Sequence, residues 1–178
     1  MRYLLAVFFF TSIMFPQSVY HSGKFKKQNS EQWRIINTGL DFTPIDICFP
    51  DSINGWVIGN YEIANTTDGG ETWTKQVTPV DTINFRKIYF VNKLVGFILG
   101  DEGLILTTKD GGALWKKTES GVTEKSYLMG ISFINENNGW ISGSDNCENR
   151  WCGVVLTTSD GGETWNVQTD LFTGIIHY

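Results

Sequence analysis

No stripe of basic residues runs through this chain, and charge is sparse: 19% of the 178 residues are charged, 14 basic against 19 acidic, for a net charge of −5. Phosphate backbones are held by clustered Lys and Arg, so nucleic acid is excluded as a partner class. The short basic run of Lys24, Lys26 and Lys27 reads as a solvated tail. Histidine occurs only at positions 21 and 177, and neither has the setting of a nucleophilic triad. Cysteine numbers three. Structural zinc needs four soft ligands, and Cys147 and Cys152 have no His or third Cys nearby, so no metal site and no cofactor is expected.

A membrane-length apolar run is missing too. The run over residues 3–15 has thirteen residues, short of the roughly 20 that a spanning helix needs. Behind Met1-Arg2 it suits the apolar region of a signal peptide. Residues 1–22 are therefore expected to be an export signal, with Ser18 and Ser22 as small residues near the cleavage point, and residues 23–31 a linker. An uncleaved N-terminal anchor is the alternative. No Cys lies close enough for a lipoprotein anchor, and no membrane span is expected once the signal is removed.

What is present in quantity is β-forming and aromatic: 41% of residues are apolar and 14% aromatic, with seven Trp, ample for a packed β core. It is also repeated. Thr66-Thr67-Asp68-Gly69-Gly70-Glu71-Thr72-Trp73 returns as Thr107-Thr108-Lys109-Asp110-Gly111-Gly112-Ala113-Leu114-Trp115 and as Thr157-Thr158-Ser159-Asp160-Gly161-Gly162-Glu163-Thr164-Trp165. Ahead of each copy runs Asn54-Gly55-Trp56, then Val95-Gly96-Phe97, then Asn138-Gly139-Trp140. The Gly-aromatic pairs lie 41 and 43 residues apart and the closing tryptophans 42 and 50. A period of about 40–50 residues marks propeller blades or solenoids. Asp-Gly-Gly supplies a turn-capping carboxylate and two residues free to take positive φ, as a hairpin turn requires, between β-forming segments such as 104–108 and the Trp that starts the outgoing strand.

The pattern Ser/Thr-x-Asp-x-Gly-x-Thr-Trp is identified as the Asp-box of sialidase-type β-propellers. It is carried by Asp68, Gly70 and Trp73, and by Asp160, Gly162 and Trp165; the middle copy, Asp110, Gly112 and Trp115, departs from it with Leu114 in place of Thr. With the Asn-Gly-Trp element added, residues 33–178 most resemble exported bacterial propellers related to photosystem II stability and assembly factors. The fold that follows is all-β: four-stranded antiparallel blades over about 44–77, 85–118 and 128–169, and the start of a fourth over 172–178. Residues 32–39 look like a strand that fastens a ring. Three blades leave an open arc, so an incomplete ring, the front part of a longer protein, is expected. Trp56, Phe97 and Trp140 are expected in the core between blades.

The third blade is longer than the others. Gly59 to Asp68 spans 9 positions and Gly100 to Asp110 spans 10, but Gly143 to Asp160 spans 17. The insertion carries Cys147 and Cys152 around four residues, which in an exported chain reads as a disulfide-clamped loop. Cys48, on an inner strand, reads as a buried thiol.

Catalytic signals are weak. An aspartate repeated in every blade serves a need that every blade has, and turn formation is such a need. A sialidase requires an arginine triad, and beyond the signal there are only Arg34, Arg86 and Arg150. A glycosidase needs two facing carboxylates; Asp46, Asp101 and Glu102 are candidates that the sequence does not bring together. In a four-stranded meander the Asp-boxes occupy the third-to-fourth turns. The opposite end therefore carries residues 60–62, 101–103, the insertion, and the links 78–84 and 119–126, and loops over a rigid scaffold are where binding residues gather. Tyr61, Arg86, Asp101, Arg150 and Trp151 are the candidate binding residues. The resemblance implies a non-catalytic protein-binding or assembly scaffold, secreted or periplasmic, at a bacterial cell envelope. The alternatives are a secreted glycoside hydrolase with carboxylates partly in other blades, and a carbohydrate- or surface-binding module, for which a glycan would be the partner.

Overall fold

The computed structural model describes residues 35, 37–147 and 150–168. The expected export signal, linker and fourth-blade start lie outside these, as do residues 32–34 and 36 of the expected fastening strand; residues 35 and 37–39 belong to no strand.

The described chain is all-β, with no helix and so none able to cross a membrane. β1 (Asp46–Cys48), β2 (Gly55–Ile58), β3 (Ile63–Thr66) and β4 (Thr74–Gln76) form the first sheet. β5 (Phe85–Phe90), β6 (Gly96–Gly100), β7 (Ile105–Thr108) and β8 (Lys116–Thr118) form the second, and β9 (Tyr127–Phe133), β10 (Gly139–Cys147), β11 (Arg150–Thr158) and β12 (Asn166–Gln168) the third. Each sheet keeps chain order with antiparallel neighbours, the meander of a propeller blade.

Two apolar layers join the three blades, and residue parity decides which layer a side chain enters. Along β6, Ile98 joins Trp56, Ile58, Phe85, Ile88 and Phe90 between the first and second blades. Its neighbours Phe97 and Leu99 point the other way and pack with Leu128, Ile141, Val154 and Leu156 between the second and third. A middle blade buries both faces, so every position of β6 and β7 is buried and the polar alternation of a one-sided sheet is lost. The outer strands β4, β8 and β12 are largely exposed.

In the first two blades the repeated aromatic of the second strand faces the following blade. Trp56 stacks on Phe90 at 3.9 Å and Phe97 on Phe133 at 4.9 Å, while Trp115 and Trp165 meet these stacks edge-on. The second Gly of the next Asp-box makes this approach possible: a Cβ on Gly112 would lie 2.8 Å from Trp56 Nε1, and one on Gly162 would overlap the Phe97 ring. Trp140 departs from the expected core position. It is 41% exposed, because it lies on the face of the third sheet turned away from the second, and among the described residues no sheet covers that face.

Candidate functional site

The three Asp-boxes are built alike. Thr66 Oγ1 donates to Asp68 Oδ1 at 2.7 Å and accepts the Gly70 N–H at 2.9 Å, while Thr72 donates to the same carboxylate from its N–H at 2.9 Å and its hydroxyl at 2.6 Å. Asp160 is held in the same way by Thr158 and Thr164. Asp110 receives Thr108 Oγ1 and the Leu114 N–H, and with Leu114 in the Thr position it has no second hydroxyl. The hydroxyls of Thr72 and Thr66, then the Thr72 N–H, hold Asp68 down at about 2. Thr164, then Thr158, do the same for Asp160, also to about 2. These carboxylates are used up inside their own turns.

At the opposite end the chain builds something less regular. The second blade's turn, residues 101–104, closes with Leu104 N–H donating to Asp101 O at 3.0 Å. Glu102 and Gly103 both have left-handed φ, 58° and 64°, as a tight hairpin turn of the primed type requires. Gly103 is needed twice over: its φ suits glycine, and a Cβ there would stand 2.6 Å from Val122 Cγ2 and 3.0 Å from Ser120 Oγ. Gly103 N–H donates to Ser126 O at 3.1 Å, and Asp101 bridges Tyr127, so this turn is sewn to the link into the third blade.

Arg86, near the start of β5, meets Asp101 with both ends of its fork, Nε to Oδ1 at 2.6 Å and Nη2 to Oδ2 at 2.9 Å. That bidentate pairing raises the guanidinium pKa further. The Arg86 Cζ lies 5.7 Å from the Tyr127 ring centroid, and Tyr127 in turn lies 5.3 Å from Trp151 with a 45° tilt. A cation and two aromatic rings thus form one row, running from the second blade onto the third.

Trp151 reaches this row because β10 and β11 extend beyond the rest of their sheet. Among the described residues, β9 pairs as far as Tyr127↔Ser144 and β12 as far as Gln168↔Val155, whereas β10 and β11 stay paired out to Cys147↔Arg150. At the base of the extension β9 carries a bulge: Ser142 pairs with Gly130 and Gly143 with Leu128, which leaves Met129 as the extra residue. Asp145 anchors the extension to the link below it, accepting from Thr123 Oγ1, from Ser126 Oγ at 2.7 Å and from the Asn146 N–H at 2.7 Å. Burial works against ionisation of Asp145, but these hydrogen bonds outweigh it and its pKa falls below the ordinary value.

Together these pieces enclose a cavity of about 370 Å³ lined by Asp101, Glu102, Glu124, Lys125, Tyr127 and Trp151, with Ser126 and Asn146 between them. Of the expected binding residues, Asp101 and Trp151 line this cavity, and Arg86 adjoins it through Asp101 and Tyr127. Tyr61, 45% exposed on the first blade's turn, and Arg150, at the hairpin tip, are not among the lining residues. Tyr127, the hub of the row, was not anticipated; its place at the end of the link 119–126 is the signal that could have found it. Of the other carboxylates considered for catalysis, Asp46 takes the Ile88 N–H at 2.9 Å and Lys87 Nζ at 3.0 Å. Asp46 and Asp101 are thus each paired with a cation. No three His, Cys, Asp or Glu side chains converge as metal ligands among the described residues.

The family described as Photosynthesis system II assembly factor YCF48 matches residues 25–121 and, in a second register, 76–172. The chain belongs to this family. It is 28% identical over 153 residues to the photosystem II assembly lipoprotein Ycf48 of Synechococcus sp. (strain CC9902), an alignment covering 83% of this chain and 43% of the relative. The solved structure titled YCF48 bound to D1 peptide is 25% identical with a TM-score of 0.61, over 74% of this chain and 42% of that one. The chain thus spans less than half the length of these family members. The GH74 enzyme of Niastella koreensis, 18% identical with a TM-score of 0.59 over 76% of this chain and 24% of its own, shares the fold alone.

Proposed function

We propose that this chain carries three blades of an exported, non-catalytic β-propeller that binds a segment of another protein, as an assembly scaffold does. The observation that carries this is kinship, at 25% identity over 74% of the chain, with a YCF48 structure that holds a D1 peptide. The cavity beside Tyr127 and Trp151 supports it, being an aromatic-walled site at the loop end of the blades. The state of the carboxylates weighs against a hydrolase: the Asp-box acids cap their turns, and Asp46 and Asp101 are each bound to a cation.

In this reading residues 1–22 direct export, and the extension is clamped by a Cys147–Cys152 disulfide. The register supports the bond, since the hairpin pairs Cys147 with Arg150 and Cys152 with Asp145, two positions apart on adjacent strands, and an oxidising compartment would let the two cysteines join. Alkylation of the unfolded, unreduced protein should then label one thiol, Cys48, and labelling of three would exclude the bond.

Binding is tested by placing a photo-crosslinking phenylalanine analogue at position 151 in the native host, with the same analogue at Lys109, on the Asp-box end, as control. Crosslinking to a defined protein from position 151 and not from 109 is the expected result. Crosslinking from 109 alone, or only to polysaccharide, would overturn the assignment.

A further inference from the structure

The cavity's walls say more about the partner than that it is a peptide. Asp101 is neutralised by Arg86. Glu102 and Glu124 form no ion pair among the described residues, and Lys125, exposed at the rim, offsets one of them. The site is therefore left with one net negative charge beside two aromatic rings. Trp151 is 60% exposed, and the structure already shows what this row of rings accepts: Arg86 Cζ sits 5.7 Å from the Tyr127 ring centroid.

Glu102 points the same way. A primed hairpin turn prefers Asn, Asp or Gly at a residue with positive φ, yet this position, at φ 58°, carries Glu. No hydrogen bond within the described residues rewards that choice. A local rule broken at a cavity wall points to a side chain kept for what it meets there.

We infer that the cavity between the second and third blades receives a basic side chain, Arg or Lys, from the bound segment, seated on the outer face of Trp151 with Glu102 and Glu124 as counter-charges. This rests on the peptide-binding reading above and specifies the chemistry of the peptide. Two features define the pocket: an aromatic face for the cation, and acidic groups whose field repels acidic segments.

The test uses the full chain and the probe acetyl-Gly-Gly-Arg-Gly-Gly-amide, followed by the Trp151 indole resonance, alongside the same peptide with neutral citrulline replacing arginine. The arginine peptide should shift the resonance saturably, and citrulline should bind at least about tenfold more weakly. Glu102→Gln and Glu124→Gln should each weaken arginine binding by about two- to fivefold with the melting temperature unchanged. Trp151→Ala should weaken it similarly, read from the remaining cavity resonances; if that variant does not fold, the two glutamate variants decide. Equal binding of the citrulline peptide, or a Trp151 shift with cellohexaose and none with arginine, would overturn the inference. Three decapeptides, basic, acidic and apolar, separate it from its premise. A response to the acidic or apolar one alone leaves a peptide site and removes the cation, and no response to any of the three removes both.

Discussion

The repeated aromatic offers one sequence position in three environments, and this makes a sharp stability experiment. Phe97 is fully buried, stacked on Phe133 at 4.9 Å and edge-on to Trp165 at 6.1 Å. A buried Phe→Ala change costs about 3–5 kcal/mol through lost transfer energy and the cavity left behind. Two ring pairs, each contributing about 0.5–1.5 kcal/mol beyond area, place Phe97→Ala at the top of that range, about 4–5 kcal/mol. Trp140 occupies the same repeat position at 41% exposure and stacks on no ring among the described residues. Its removal opens no closed cavity, so Trp140→Ala forfeits only partial burial, about 1–2 kcal/mol. With a urea slope of about 2 kcal/mol/M, the two variants should differ in midpoint by about 1–2 M at unchanged slope. Equal losses would mean that the Trp140 face is covered in solution as the Phe97 face is, contrary to its exposure here.

The Asp-box acids make a pH prediction: with folded pKa values of about 2 for Asp68 and Asp160, below the unfolded value, their stabilising contribution is complete above about pH 4 and is lost as pH falls through about 2. Carboxyl carbon NMR should find both midpoints near 2, and midpoints near 4 would show the threonine hydroxyls absent in solution. Leu114→Thr should give Asp110 the hydroxyl it lacks, lowering its midpoint further and raising the melting temperature; an unmoved midpoint would deny the Thr its role. Gly103→Ala meets both a left-handed φ and a 2.6 Å clash and should cost more than about 2 kcal/mol, against about 1 kcal/mol for Gly39→Ala, where the φ is similar and the space is open; equal urea midpoints would remove the clash from the account. Arg86→Ala should cost only about 1 kcal/mol, since the pair is partly solvated, yet speed amide exchange at Leu104; an unchanged exchange rate would mean that Asp101 holds the turn unaided.

The fold was legible because each blade must solve the same problem at the same place. A four-stranded meander needs one tight turn before its last strand, and Asp-Gly-Gly followed by Trp is a local solution, complete within eight or nine residues. Local solutions can be read from local sequence. Trp140 shows where that logic stops: its sequence context matches that of Trp56, but burial belongs to the neighbouring sheet and not to the residue.

The site was half legible for the same reason. Topology alone places Arg86, Asp101 and Trp151 at one end of the blades, because turn order in a meander fixes which loops share an end. What topology leaves open is which loops touch. Contact is decided by the length of the β10–β11 extension and by the hydrogen bonds that tie Asp145 to Thr123 and Ser126. These bring Trp151 against Tyr127 and leave Arg150 at the tip. Tyr61, on a blade whose turn has no such extension, stays outside. The insertion therefore acts at this site less by adding residues than by moving Trp151 onto a cation–aromatic row that the second blade and its link have already begun.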